Sequence, residues 1–200
     1  MSDVVEPVLA VFDKPDPLEG PYFEETIYVT PSRLPEGTLA HVERVTADAA
    51  RALSLTEGPV HAEVRVDGGR VRVVEVAARS IGGLCARTLR LGAGISLEEV
   101  IVRHALGLPL DDLGRAADAS GVMMLPIPRA GTLVAVRGQD EARRVAGIVG
   151  LEITIVSGRA VLPVPDGDRY LGFLFARAST PAAVEAALRA AHARLDIEIR

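Results

Sequence analysis

The stretch from Gly58 to Gly83, GPVHAEVRVDGGRVRVVEVAARSIGG, constrains this 200-residue chain more than any other. Val60, Ala62, Val64 and Val66 alternate with His61, Glu63 and Arg65. Beyond Asp67-Gly68-Gly69, Val71, Val73, Glu75 and Ala77 alternate with Arg72, Val74, Val76 and Ala78. Period-two alternation on both sides of a glycine pair predicts an antiparallel β-hairpin. Residues two apart share a face, so His61, Glu63 and Arg65 project together, as do Glu75, Ala77 and Arg79. A turn at Gly68-Gly69 pairs residues whose numbers sum to about 137, which sets Glu63 near Val74 or Glu75.

Two carboxylates brought together in mid-strand repel unless a cation neutralises them. Such oxygen ligands suit Mg²⁺, with substrate phosphates completing its octahedron. Arg79, four residues after Glu75, stands where the strand should end and can grip a phosphate or carboxylate through two donors. Gly82-Gly83 then predicts a tight turn with free backbone N–H groups ahead of a helix, an anion-cradling arrangement. The residues alone leave a second reading open, in which Glu63 and Glu75 face solvent and Arg79 merely partners Glu75.

At these positions the chain resembles the ATP-grasp ligases. H-x-E-x-R, followed by a strand ending E-V-A-A-R-S-I-G-G, is similar to their metal-binding hairpin. The resemblance implies that Glu63 and Glu75 hold Mg²⁺ bridging the phosphates of ATP. It implies that Arg79, with Gly82 and Gly83, contacts those phosphates or an acyl-phosphate. Ala77 stands where that superfamily commonly has Asn, which removes one expected ligand. E-x-A-A-R-x-x-G-G, the stretch Phe12 to Pro35 and the part from about Val122 are similar to the L-amino-acid ligases that make dipeptides. Glu24 and Glu25, in GPYFEET, are then expected near the amino-acid substrate, or else are edge-strand carboxylates.

The resemblance implies an α/β fold, α+β in arrangement. An ATP-grasp large lobe with a mainly antiparallel sheet (1–110) precedes a small split β-α-β-like subdomain (120–200). The expected activity is an ATP- and Mg-dependent carboxylate–amine ligase. The chain corresponds to the C-terminal half of such an enzyme, without the N-terminal domain and the lysine-bearing small lobe. A separate N-terminal half chain or a homodimer is the expected partner. The alternative is a non-catalytic binding or interaction module. An exposed apolar face on the lobe would favour the half-enzyme, and a polar surface the module.

Composition narrows the rest. A hydrophobic fraction of 48% with 4% aromatics and no Trp predicts a core of Val, Leu, Ala and Ile. A net charge of −5 and no basic stripe exclude nucleic acid as a partner on electrostatic grounds. No apolar run approaches the ~18 residues a bilayer requires. The acidic N-terminus, with Asp3 and Glu6, is unlike a signal peptide. Cys85 stands alone, which excludes an intrachain disulfide and fits a reducing, cytoplasmic setting. No His or Cys pair has zinc spacing. His61 shares the face of Glu63 and is read as a structural or solvent-facing group. Cys85 is read as buried and inert.

Along the chain, strands are expected at Val8–Phe12 and Phe23–Thr30, and a helix at Gly37–Leu55 packs on the hairpin. A short helix is expected at Leu84–Leu91. Ser96 should cap another, with Glu99 at its third position. After a loop the order from Thr132 is β-α-β-β-β-α-β. It includes a helix at Asp140–Val149, a strand at Tyr170–Arg177 with Leu171, Phe173 and Phe175 on one face, and a helix capped by Thr180 with Pro181 first.

Overall fold

The computed structural model describes residues 8–16, 26–91, 94–110, 113–114 and 118–200. In chain order its elements are β1 (Ile27–Thr30), α1 (Glu36–Ala52), β2 (His61–Asp67), β3 (Arg70–Ala77), a 3-10 turn (Cys85–Thr88) and α2 (Leu97–Ala105). Next come β4 (Ala119–Leu125), β5 (Gly131–Arg137), α3 (Gln139–Arg143), β6 (Ile148–Ile153), β7 (Ala160–Val161), β8 (Gly172–Ala178), α4 (Pro181–His192) and β9 (Asp196–Ile199). All strand pairings are antiparallel, so the mixed α/β fold with mainly antiparallel sheets is the one expected. The chain divides into two compact units, Met1–Val11 with Arg33–Ala116, and Phe12–Ser32 with Ala117–Arg200.

The first unit carries the hairpin of β2 and β3, a two-stranded sheet of its own. Gly68 and Gly69 have φ of 53° and 81°, the left-handed conformations that a tight two-residue turn demands and that glycine adopts without strain. From the turn outward the register runs Asp67↔Arg70, Val66↔Val71, Arg65↔Arg72 and Val64↔Val73. It then shifts by one: Glu63 pairs with Glu75 and His61 with Ala77. Val74 is the extra residue of this β-bulge. Without it the register would set Glu75 opposite Ala62, on the other face of the ribbon. The bulge puts both carboxylates on one face. α1 packs against this hairpin, as its apolar spacing predicts, though Leu53 at its end is 57% exposed. Ser96 caps α2, its Oγ accepting from the Glu99 N–H at 3.2 Å.

The second unit is built on the sheet β1-β4-β8-β6. α4 packs on β8, β4 and β1, burying Val184, Leu188 and Ala191 completely. Thr180 caps α4 by accepting from the Ala183 N–H, and Pro181 occupies its first turn. A cluster of buried apolar side chains, including Ile27, Met123, Leu125, Leu174 and Leu188, fills this unit. β5 pairs with β7 and β9 in a three-stranded sheet. From β5 the order is the β-α-β-β-β-α-β expected.

Several boundaries differ from the sequence reading. Val8–Phe12 is not a strand; the local pairing is a single bridge between Asp13 and Val29. β1 is Ile27–Thr30, while Phe23, Glu24 and Glu25 lie outside the described residues. The helix expected at Asp140–Val149 stops at Arg143, because Gly147 turns the chain at φ 90° and Ile148 opens β6 against β8. The Leu84–Leu91 helix is only the four-residue 3-10 turn. On β8, Phe173 and Phe175 do share a face and stack with ring centroids 6.4 Å apart. The core cluster nevertheless takes Leu174 and Ala176 from the opposite face. α4 packs on β8, and side chains of both faces of the strand, Leu174 and Phe175 among them, are buried.

Candidate active site

Glu63, Glu75 and Arg79, which the sequence marks for chemistry, meet on one face of the hairpin. Glu63 and Glu75 are directly opposed partners of the register. Like charges so placed destabilise an antiparallel pair, so the structure must supply compensating cations. Arg79 supplies one: its Nη2 donates to Glu75 Oε1 at 3.1 Å. Its Nη1 donates to the Ser80 carbonyl at 3.0 Å and lies 3.5 Å from His61 Nδ1. A guanidinium only donates, so Nδ1 can only accept at that contact. His61 Nε2 is 3.9 Å from Glu63 Oε1. The four side chains thus close a loop, Glu63–His61–Arg79–Glu75.

Burial differs within it. The His61 and Glu63 side chains are 13% and 22% exposed. Glu75 and Arg79 are 48% and 54% exposed. An ion pair as open as the second contributes about 0–1 kcal/mol.

Two carboxylates and no third protein ligand form a donor set that fits Mg²⁺. That ion is commonly held by one or two carboxylates, keeping waters and substrate phosphates for the rest of its shell. Among the described residues no group of three or more His, Cys, Asp or Glu gathers to hold a metal. Ala77, at the position where Asn was expected, lies across from His61 and brings no donor.

Gly82 and Gly83 depart from expectation in one respect. Gly83 and Leu84 both have left-handed φ, 60° and 55°, and a turn is formed. It leads into the short 3-10 turn, with no helix long enough to aim a dipole at an anion. Gly82 is exposed, and a Cβ there would meet nothing within 4 Å. Glu24 and Glu25 lie outside the described residues. Cys85 is buried, at 1% exposed, as expected. His61 is the participant that sequence reasoning undervalued. The available signal was its place two residues before Glu63 on the same face.

Comparison with known proteins finds matches to both parts of the chain. Residues 4–88 match the family described as ATP-grasp domain, and residues 123–200 match L-amino acid ligase C-terminal domain 2. The fold is similar to the crystal structure of L-amino acid ligase from Bacillus licheniformis, with TM-score 0.81 and 27% identity over 96% of this chain and 48% of that one. It is also similar to N5-carboxyaminoimidazole ribonucleotide synthetase from Thermotoga maritima, with TM-score 0.68 and 18% identity over 87% of this chain and 46% of that one. Phosphoribosylglycinamide synthetase from Anaerococcus prevotii matches with TM-score 0.72 and 13% identity, over 91% and 47%. The last two speak to the fold alone. No curated protein matches the chain in sequence. The two matches together give an ATP-grasp domain followed by a C-terminal domain of the L-amino acid ligase kind. The chain spans about half the length of the solved structures it matches.

Proposed function

We propose that this chain provides the phosphate-handling end of an ATP- and Mg²⁺-dependent carboxylate–amine ligase. The observation that carries the reading is the bulge at Val74, which opposes Glu63 to Glu75 and brings Arg79 to the same face. The chemistry Mg²⁺ would supply is neutralisation of charge during phosphoryl transfer. Glu63 and Glu75 would hold the ion. Arg79 would leave Glu75 to grip a transferring phosphoryl group, helped by the amide of Gly82 or Gly83. In such a reaction a carboxylate oxygen takes the γ-phosphoryl group and ADP departs. An amine nitrogen then attacks the acyl carbon, losing a proton as phosphate leaves.

The substrate class we propose is an amino acid, on the strength of the L-amino acid ligase match. Glu24 and Glu25 keep their proposed place beside it. The remaining half of the site, on this polypeptide or on another chain, would cover apolar side chains of the first unit. Val74, Leu106 and Val102 are 67%, 67% and 56% exposed there, as a half-enzyme requires. Among the described residues no helix is long and apolar enough to cross a membrane. A cytoplasmic setting belongs to the same reading.

Calorimetric titration with Mg·ATP tests it, using the chain with its complementary half wherever that half resides. Glu75→Gln should abolish the EDTA-sensitive part of nucleotide binding and leave the circular dichroism spectrum unchanged. Unchanged affinity in that variant would remove the metal role from the hairpin.

A further inference from the structure

We infer that Arg79 is the resident counter-ion of the carboxylate pair, and that it makes binding of the divalent cation depend on binding of the phosphate. This rests on the reading of Glu63 and Glu75 as the metal-holding carboxylates. Arg79 Nη2 donates to Glu75 Oε1 at 3.1 Å. A divalent cation approaching Glu75 then meets a fixed positive charge and competes for the same oxygen. Arriving phosphate offers the guanidinium a better bidentate partner. Arg79 moves to it, and Glu75 becomes free for the metal.

Three features make the exchange feasible. The Glu75–Arg79 pair is about half exposed, so water screens it and little holds it closed. The Arg79 backbone is pinned by its N–H to the Ala77 carbonyl at 2.9 Å, so the side chain moves while its root stays. The other contacts of Nη1, the Ser80 carbonyl and His61 Nδ1, involve no anion and leave the cation's charge uncompensated once Glu75 is taken by metal. Coupling of this kind is reciprocal: whatever frees Glu75 for the metal also frees Arg79 for phosphate.

Two single-ligand titrations on the chain test it. Mn²⁺ alone is followed by electron paramagnetic resonance, and metal-free tripolyphosphate by calorimetry. Arg79→Gln should bind Mn²⁺ alone about fivefold more tightly than the wild type, at the lower end of ordinary coupling between sites. Glu75→Gln, which releases Arg79, should bind metal-free tripolyphosphate more tightly by a similar factor. Equal or weaker Mn²⁺ binding by Arg79→Gln would overturn the inference. If Glu75→Gln also loses Mn²⁺ in that experiment, the carboxylate reading stands while the coupling falls. Mn²⁺ binding that ignores Glu75→Gln would overturn both.

Discussion

The two units of this chain solve different problems. The second, Phe12–Ser32 with Ala117–Arg200, is organised for burial: a four-stranded sheet, a capped helix laid on it, and one cluster of fully buried aliphatic side chains. The first is organised for access. Its sheet has two strands, and its acidic pair sits in mid-strand on the hairpin. An isolated two-stranded ribbon is marginal in water. Segments that bind and release ligands are drawn from such low-stability parts of a structure. The contrast is between a unit closed around one apolar cluster and a unit that leaves a two-stranded ribbon open.

The largest expected break in that comparison is Leu188→Ala on α4. Leu188 is 0% exposed, within the core cluster. Truncation loses transfer free energy and leaves a cavity, about 2–5 kcal/mol together. Urea denaturation monitored on the second unit should show stability fall by that amount. A loss under about 1 kcal/mol would mean that the cluster is loosely packed and the contrast between the units is overstated.

A smaller effect comes from His192, in the last turn of α4. Burial lowers its pKa from the ordinary value of 6.5. The unfolded chain therefore takes up a proton first as pH falls. Stability is unaffected by this residue above the unfolded value, declines as pH drops through it, and stops declining below the depressed folded value. Melting temperature measured from pH 7.5 to pH 5 should fall in the wild type and fall less in His192→Gln. Parallel curves would show that the imidazole reaches water in the folded state.

Legibility in the sequence divides along the same line. The hairpin, its turn, and the caps at Ser96 and Thr180 rest on local rules: alternation, paired glycines, a hydroxyl three residues before the N–H it accepts. These were readable. Partners far apart in sequence were not. Nothing near Ile27 says that β1 pairs with β4, and α3 ends early because β6 claims the next residues for β8. The site was readable to within one residue. A regular register summing to ~137 would place Glu63 opposite Val74, and the bulge substitutes Glu75. Alternation alone does not announce a bulge, since one inserted residue merely swaps faces in mid-strand. His61 was undervalued for that reason, because its proximity to Arg79 exists only in the shifted register.

Val74 gives the smallest expected effect and tests the comparison from the other side. It is the inserted residue of the bulge and is 67% exposed. If the ribbon of the first unit is open, Val74→Ala removes a side chain that touches little, and stability should change by no more than about 0.5 kcal/mol. The bulge itself should survive, since it depends on the count of residues and on the Val64↔Val73 and Glu63↔Glu75 pairings on either side. Chemical denaturation at two protein concentrations tenfold apart separates the outcomes. A small, concentration-independent change keeps the surface open. A larger loss that appears only at the higher concentration would mean that a second copy covers Val74 in solution, because only an assembled state ties stability to concentration. The exposed valine would then belong to an interface, and the first unit would reach its stability by association.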